Sequence, residues 1–176
     1  MPHYLIEEPY ALRGWKKLPF ALQNNLNGYT DFFREEKDYF LLRCCDGRTV
    51  IDREKLTGKE AGQFDLWLKR GFIRECAPDE RLKPYQEYRF YPVRFKKEVQ
   101  WSVTGRCNCR CRHCFMSAPH AAQGEPSWDQ LMTMLDAFER CGIRTVHLTG
   151  GEPMVRKDFW QLVDAILAKG IFITVI

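Results

Sequence analysis

The 176 residues are 45% hydrophobic, 14% aromatic and 28% charged, which excludes wholesale disorder and collagen-like repeats. Lys and Arg number 27 against 23 Asp and Glu, and the resulting net charge of +4 is too small to imply a nucleic-acid partner by itself. The length suffices for one large domain or two small ones, each with a modest core.

The opening stretch, MPHYLIEEPYALRGW, shows no basic segment followed by an apolar one, and no apolar run approaches the roughly 18 residues of a membrane span. A cytoplasmic chain with reduced thiols and no membrane association is expected. Asp38–Cys45 (DYFLLRCC) is apolar in its middle and stops at Asp46-Gly47; it is compatible with helix or strand. Thr57 and Glu60 stand at capping-box spacing and open a helix with Ala61, Phe64, Trp67 and Leu68 on one face. Gly71 stops it, and Phe72–Glu75 reads as a short strand. A helix followed by a short β element suits a winged-helix-like unit at 1–76, and equally another small α+β module.

Residues 77–97 read as a linker or exposed arm. Pro78, Pro84 and Pro92 remove backbone donors, and Arg81, Lys83, Arg89, Arg94, Lys96 and Lys97 favour solvent. The interleaved Tyr85, Tyr88, Phe90 and Tyr91 imply docking, either onto the segment's own domain or onto a nucleic acid. From residue 98 the rhythm becomes strand, loop, helix. Val99–Val103 alternates as a strand, and Ser127 with Gln130 opens a helix bearing Leu131, Met134, Leu135 and Phe138, which ends at Gly142. Thr145–Leu148 is a second strand. Asp158 is placed to cap a helix with Leu162, Val163, Ile166 and Leu167 inward, ending at Gly170, and Ile171–Ile176 is a third, apolar strand. Such alternation predicts βαβ units and a parallel sheet, an α/β class for 98–176.

The chemistry is concentrated in the cysteines. There are eight, Cys44, Cys45, Cys76, Cys107, Cys109, Cys111, Cys114 and Cys141, and four of them fall within residues 107–114. Crowding of this kind in a loop does not read as inert core. A zinc knuckle draws on two close pairs far apart in sequence; Cys111 and Cys114 make one, with only the adjacent Cys107 and Cys109 for another. An iron–sulfur cluster accepts closely spaced thiolates from one loop. The stretch lies at the C-terminal end of the first βαβ strand, where α/β folds place ligands. Downstream, Leu148-Thr149-Gly150-Gly151-Glu152-Pro153 ends the second strand: two glycines permit close approach, and Pro153 fixes the exit.

Cys107-x3-Cys111-x2-Cys114, with His113 before the last cysteine, resembles the motif of the radical S-adenosylmethionine (SAM) superfamily, and Gly150-Gly151-Glu152-Pro153 is similar to that family's GGE-P turn. The resemblance implies a [4Fe-4S] cluster held by Cys107, Cys111 and Cys114, with one iron left open for SAM. The SAM ammonium group is expected at Gly150–Pro153, and its adenine near His113. It further implies reductive cleavage of SAM and hydrogen abstraction from a substrate, with an electron donor such as flavodoxin or ferredoxin. Cys109 departs from the motif; an outward-facing thiol is the simplest expectation for it, with spare ligation of a damaged cluster as the other. Arg106, Arg110 and Arg112 are either solvated or offset cluster charge, and His113 and His147 are expected to be structural rather than catalytic bases.

The domain order resembles peptide-modifying (RiPP maturase, SPASM-type) members of the superfamily, in which a small winged-helix-like peptide-recognition domain precedes a partial (β/α)6 TIM-like barrel. That implies a ribosomally made precursor peptide as substrate, its leader added as a strand to the module's sheet edge, with thioether or carbon crosslinking or epimerisation as the outcome. Two other readings stay open: a radical SAM maturase of a protein or cofactor precursor, and an iron–sulfur winged-helix transcription regulator. For the regulator, the helix around 59–70 offers only Lys59, Gln63, Lys69 and Arg70 as DNA contacts, and Glu152 has no evident purpose. Complete (β/α)8 barrels run to about 250 residues. Residues 98–176 are therefore expected to be an incomplete barrel, the N-terminal portion of a longer enzyme, inactive alone and with a labile cluster.

Overall fold

A computed structural model describes residues 2–118 and 124–176. Its chain divides into two compact units, Met1–Arg94 and Phe95–Ile176.

The first unit opens with four strands where the sequence carries no clear signal: β1 (His3–Ile6), β2 (Tyr10–Lys16), β3 (Leu18–Asn24) and β4 (Thr30–Phe32). Their strand character is hidden because β2 does not alternate; Ala11, Leu12, Arg13, Gly14 and Trp15 are all buried. A charge inside such a strand needs partners. The Arg13 guanidinium donates to the carbonyls of Leu12 (2.7 Å), Tyr85 (2.7 Å) and Glu87 (3.0 Å). The ambiguous apolar run is the helix α1 (Glu36–Arg43), with Tyr39 and Leu42 buried. After β5 (Asp46–Val50) comes α2 (Gly58–Arg70), opened by a complete Thr57/Glu60 capping box and closed by Gly71 at φ 67°. Lys59 of α2 is engaged with Glu35, which removes one of the four side chains considered for DNA contact.

Strand β6 (Ile73–Cys76) completes a sheet of order β5-β1-β6, antiparallel throughout. The guanidinium of Arg74 in this strand, helped by the Ala77 amide, holds the carboxyl of Glu80 just beyond it down to about 2. The segment expected as a linker is largely built into this unit. Residues 89–94 form β7 (Arg89–Arg94), which joins a second sheet, β4-β3-β2-β7, by parallel pairing with β2. Pro92 is accommodated because β7 is an edge strand with an irregularity in its register there. Gln86 is 1% exposed, and its Nε2 donates to the carbonyls of Ile6 (2.9 Å) and Tyr10 (3.2 Å). Tyr91 stacks on Trp15 with centroids 5.3 Å apart, and the Tyr88 hydroxyl reaches the Pro19 carbonyl at 3.0 Å. The aromatics thus anchor the segment to its own unit.

Tyr4, Ile6, Leu22, Phe64, Trp67 and Ile73 are central to the first core. Trp67 is 1% exposed and meets Phe33 edge-on at 6.1 Å. Trp67→Ala is expected to cost about 3–5 kcal/mol in urea unfolding of the full chain. A loss below about 1 kcal/mol would show that α2 contributes little to this core.

The second unit follows the expected alternation: β8 (Glu98–Thr104), α3 (Trp128–Cys141), β9 (Thr145–Gly150), α4 (Phe159–Ala168) and β10 (Phe172–Val175). The sheet order is β10-β9-β8, both pairings parallel. Helix α3 has its Ser127/Gln130 capping box and ends on Gly142 at φ 73°. Val146 and Leu148 of β9 pack against Leu131 and Leu135 of α3 and Leu162 and Ile166 of α4 in one core. Asp158 stands at the N-cap of α4 but makes no capping hydrogen bond. Its carboxylate is instead taken up by Arg156, at 2.8 Å on each oxygen. Among the described residues, no helix is long and apolar enough to cross a membrane.

Candidate active site

Parallel strands bring the C-terminal ends of β8 and β9 side by side, and both sequence motifs leave the sheet there. After Thr104 the chain enters the cysteine loop; after Gly150 it enters the glycine turn. Main-chain hydrogen bonds join the two. The Gly151 amide donates to the Thr104 carbonyl at 2.9 Å and the Glu152 amide to the Arg106 carbonyl at 2.8 Å.

The glycines are required by this approach. A Cβ on Gly150 would lie 2.2 Å from the Thr104 carbonyl oxygen, and its φ of 144° suits glycine alone. A Cβ on Gly151 would lie 2.1 Å from the Arg106 oxygen and 2.9 Å from the Cys107 Cβ. Pro153 is buried and starts a short 3-10 turn (Pro153–Val155), which Glu152 caps by accepting the Met154 amide at 3.0 Å.

All eight cysteines are free thiols. Cys107 and Cys114 are half-buried, whereas Cys109, Cys111 and His113 are exposed. The Cys109 amide points at the Cys107 sulfur, 3.3 Å away, and the Cys114 amide closes a turn on the Cys111 carbonyl at 3.2 Å. The Cys109 thiol is pushed up by Cys107 first, then by loss of solvent, Cys111 and the Glu152 carboxylate, so these groups are electrostatic neighbours. Among the described residues, no three His, Cys, Asp or Glu side chains gather tightly enough to hold a single ion. A cluster makes a different demand, since each thiolate binds its own iron.

A cavity of about 480 Å³ opens beside the loop and turn, lined by Gln100, Ser102, Cys114, Thr149, Gly150 and Ile176 among others. Its size falls in the range of small-molecule sites. His147 lies toward the other end of β9, where its Nε2 is 3.4 Å from Glu98 Oε2. It is not brought to the cysteines.

Three residues at the site carry no signal of their own in the sequence. Thr104 is 1% exposed, and its Oγ1 donates to Glu125 at 2.6 Å while accepting the Arg106 amide at 3.0 Å. Arg156, 5% exposed, donates to the Val103 carbonyl at 2.7 Å. Only the Arg156-x-Asp158 spacing hints at an ion pair; the contacts across the cysteine loop link residues too far apart to be inferred.

Residues 101–176 match the model of the radical SAM superfamily. The chain is 44% identical over 66 residues to the mycofactocin maturase MftC of Mycobacterium ulcerans, covering 38% of this chain and 18% of that protein. It is 36% identical over 75 residues to GTP 3',8-cyclase 3 of Mycobacterium bovis, covering 41% and 20%. It is 28% identical over 98 residues to GTP 3',8-cyclase of Vibrio cholerae, covering 53% and 28%. The chain thus spans less than a third of each of these relatives. No solved structure matches. Both motifs stand at the ends of adjoining parallel strands, inside the stretch 101–176 that matches the radical SAM superfamily model.

Proposed function

We propose that Cys107, Cys111 and Cys114 hold a [4Fe-4S] cluster, that the Gly150–Pro153 turn receives SAM, and that the protein uses both to abstract hydrogen from a ribosomally made precursor peptide. The residues fit these groups: three free thiols share one loop, and a cavity of ligand size adjoins it. When bound, the cluster and SAM would supply one-electron reductive chemistry for hydrogen abstraction, with methionine released as SAM is cleaved. The protein's part is placement. Its thiolates fix the cluster, the turn offers backbone groups and the Glu152 carboxylate to an ammonium, and His113 offers a ring face near the adenine.

The observation that carries this reading is the pair of main-chain hydrogen bonds joining the cysteine loop to the glycine turn, 2.9 and 2.8 Å long. These bonds prolong the parallel ladder of β8 and β9 past Gly150 and so hold the turn against the entry to the cysteine loop.

For the substrate, the support is the likeness to a protein named as a maturase and a first unit with strands at open sheet edges. Main-chain pairing at the edge of β5-β1-β6 would give a leader peptide affinity with little demand on its side chains. A winged-helix-like peptide-recognition role for this unit, a barrel continuing the β8–β10 sheet, a flavodoxin or ferredoxin donor, and a reducing cytoplasmic setting complete the proposal. The test is anaerobic reconstitution of the chain with iron and sulfide. A paramagnetic signal that appears on reduction and changes on addition of SAM is expected. Iron uptake without any response to SAM would refute the assignment of the turn, and no iron uptake would refute that of the cysteines.

A further inference from the structure

Arg156 carries a charge at 5% exposure, and a buried charge is tolerated only where its donors are used. Its guanidinium reaches three stretches of chain. Nε and Nη2 hold both oxygens of Asp158 at 2.8 Å. Nη1 donates to the Val103 carbonyl at 2.7 Å and to the Pro126 carbonyl at 3.2 Å. Glu125 Oε1 lies 3.9 Å from the same nitrogen. The other Glu125 oxygen accepts from Thr104 Oγ1 at 2.6 Å and lies 3.9 Å from Arg106 Nη1. Thr104 Oγ1 in turn accepts the Arg106 amide.

Val103–Arg106 is where the chain enters the cysteine loop, Glu125–Pro126 is where it returns to α3, and Arg156 stands at the exit of the glycine turn. One guanidinium therefore ties both ends of the cysteine loop to the turn. The pair with Asp158 would suffice to neutralise Arg156 and settle the start of α4. The contacts to Val103, Pro126 and Glu125 are not needed for that purpose. They bear on the two carbonyls, Thr104 and Arg106, that receive the amides of Gly151 and Glu152.

We propose that Arg156, Glu125 and Thr104 form a positioning clamp that sets the spacing between the cysteine loop and the glycine turn, so that a cluster on one and SAM on the other meet in a fixed register. The inference rests on the functional reading above. None of the three is a catalytic residue; each acts through the backbone that it holds.

The test uses Thr104→Val, Glu125→Gln and Arg156→Lys in the full chain. Thr104→Val keeps the shape of a buried β-branched side chain and removes only the hydroxyl. Without cofactors, hydrogen exchange at the amides of Arg106, Gly151 and Glu152 is expected to quicken about three- to tenfold in Thr104→Val and Glu125→Gln, the scale of one lost hydrogen bond. Amides of α2 should stay at wild-type rates. In the anaerobically reconstituted protein, iron content should be retained, SAM affinity should fall about tenfold, and the SAM-induced change in the cluster's paramagnetic spectrum should be diminished. Arg156→Lys keeps the charge but cannot span Asp158 and Val103 together, so an intermediate loss is expected.

Wild-type exchange and wild-type SAM affinity in Thr104→Val and Glu125→Gln would overturn the clamp. Faster exchange with unchanged SAM affinity would also overturn it, leaving a purely structural tie. If Arg156→Lys does not fold, the isosteric Thr104→Val decides. Should the wild-type protein take up no cluster, the functional reading fails while the exchange measurement still shows whether the three residues hold the two segments together.

Discussion

Gly151→Ala is expected to lower SAM binding by about 100-fold, ~2.8 kcal/mol, with the rest of the fold intact. The added Cβ would sit 2.1 Å from the Arg106 carbonyl oxygen and 2.5 Å from its carbon. These are backbone atoms, so no rotamer change relieves the contact. The turn must move away from the cysteine loop, which breaks the Glu152–Arg106 hydrogen bond and weakens the Gly151–Thr104 bond. Gly124→Ala is the matched control, because among the described residues a Cβ there meets nothing within 4 Å. It should bind SAM within about twofold of wild type, the scatter of an ordinary surface change. Isothermal titration of both reconstituted variants checks the pair, and equal affinities would mean that the close approach of turn and loop is irrelevant to the ligand.

Replacing any one of Cys107, Cys111 and Cys114 by alanine is expected to reduce iron content to background, because a cluster lacking one of three thiolates loses its hold. Cys109→Ala should keep wild-type iron and the wild-type paramagnetic signal. Cys109 is exposed between two of the proposed ligands, and its amide donates to the Cys107 sulfur at 3.3 Å. Iron retained in Cys111→Ala but lost in Cys109→Ala would reassign the ligand set. Cys141→Ala, in α3, serves as the remote control.

What the two motifs share is dependence on short stretches of chain. Cysteines at 107, 111 and 114 and the Gly-Gly-Glu-Pro turn are legible because their meaning lies in spacing within a few residues. The capping boxes at Thr57 and Ser127 and the stops at Gly71 and Gly142 are legible for the same reason, since a helix end is satisfied by its own neighbours. The run at 38–45 remained ambiguous because a short apolar segment satisfies either period. The alternation of β8, α3, β9, α4 and β10 then follows from apolar periodicity, and the parallel sheet from the crossovers it demands.

Long-range partners decided the rest. Strands β1 to β4 carry no clear period because β2 is buried from Ala11 to Trp15, and its buried charge, Arg13, is satisfied from 72 and 74 residues away. The prolines and charges of 77–97 suggested solvent, yet Gln86 bonds a carbonyl 80 residues distant and β7 closes a sheet edge. Glu125 reaches Thr104 across 21 residues, and Arg156 reaches Val103 across 53. Composition and local spacing determine which groups the chain brings to its chemistry. Which backbone carbonyls those groups meet depends on the folded chain, because a buried donor takes whatever acceptor packing places beside it. Length and modest charge limit only the class of chain, whereas the hydrogen bonds between loop and turn exist only once β8 and β9 lie side by side.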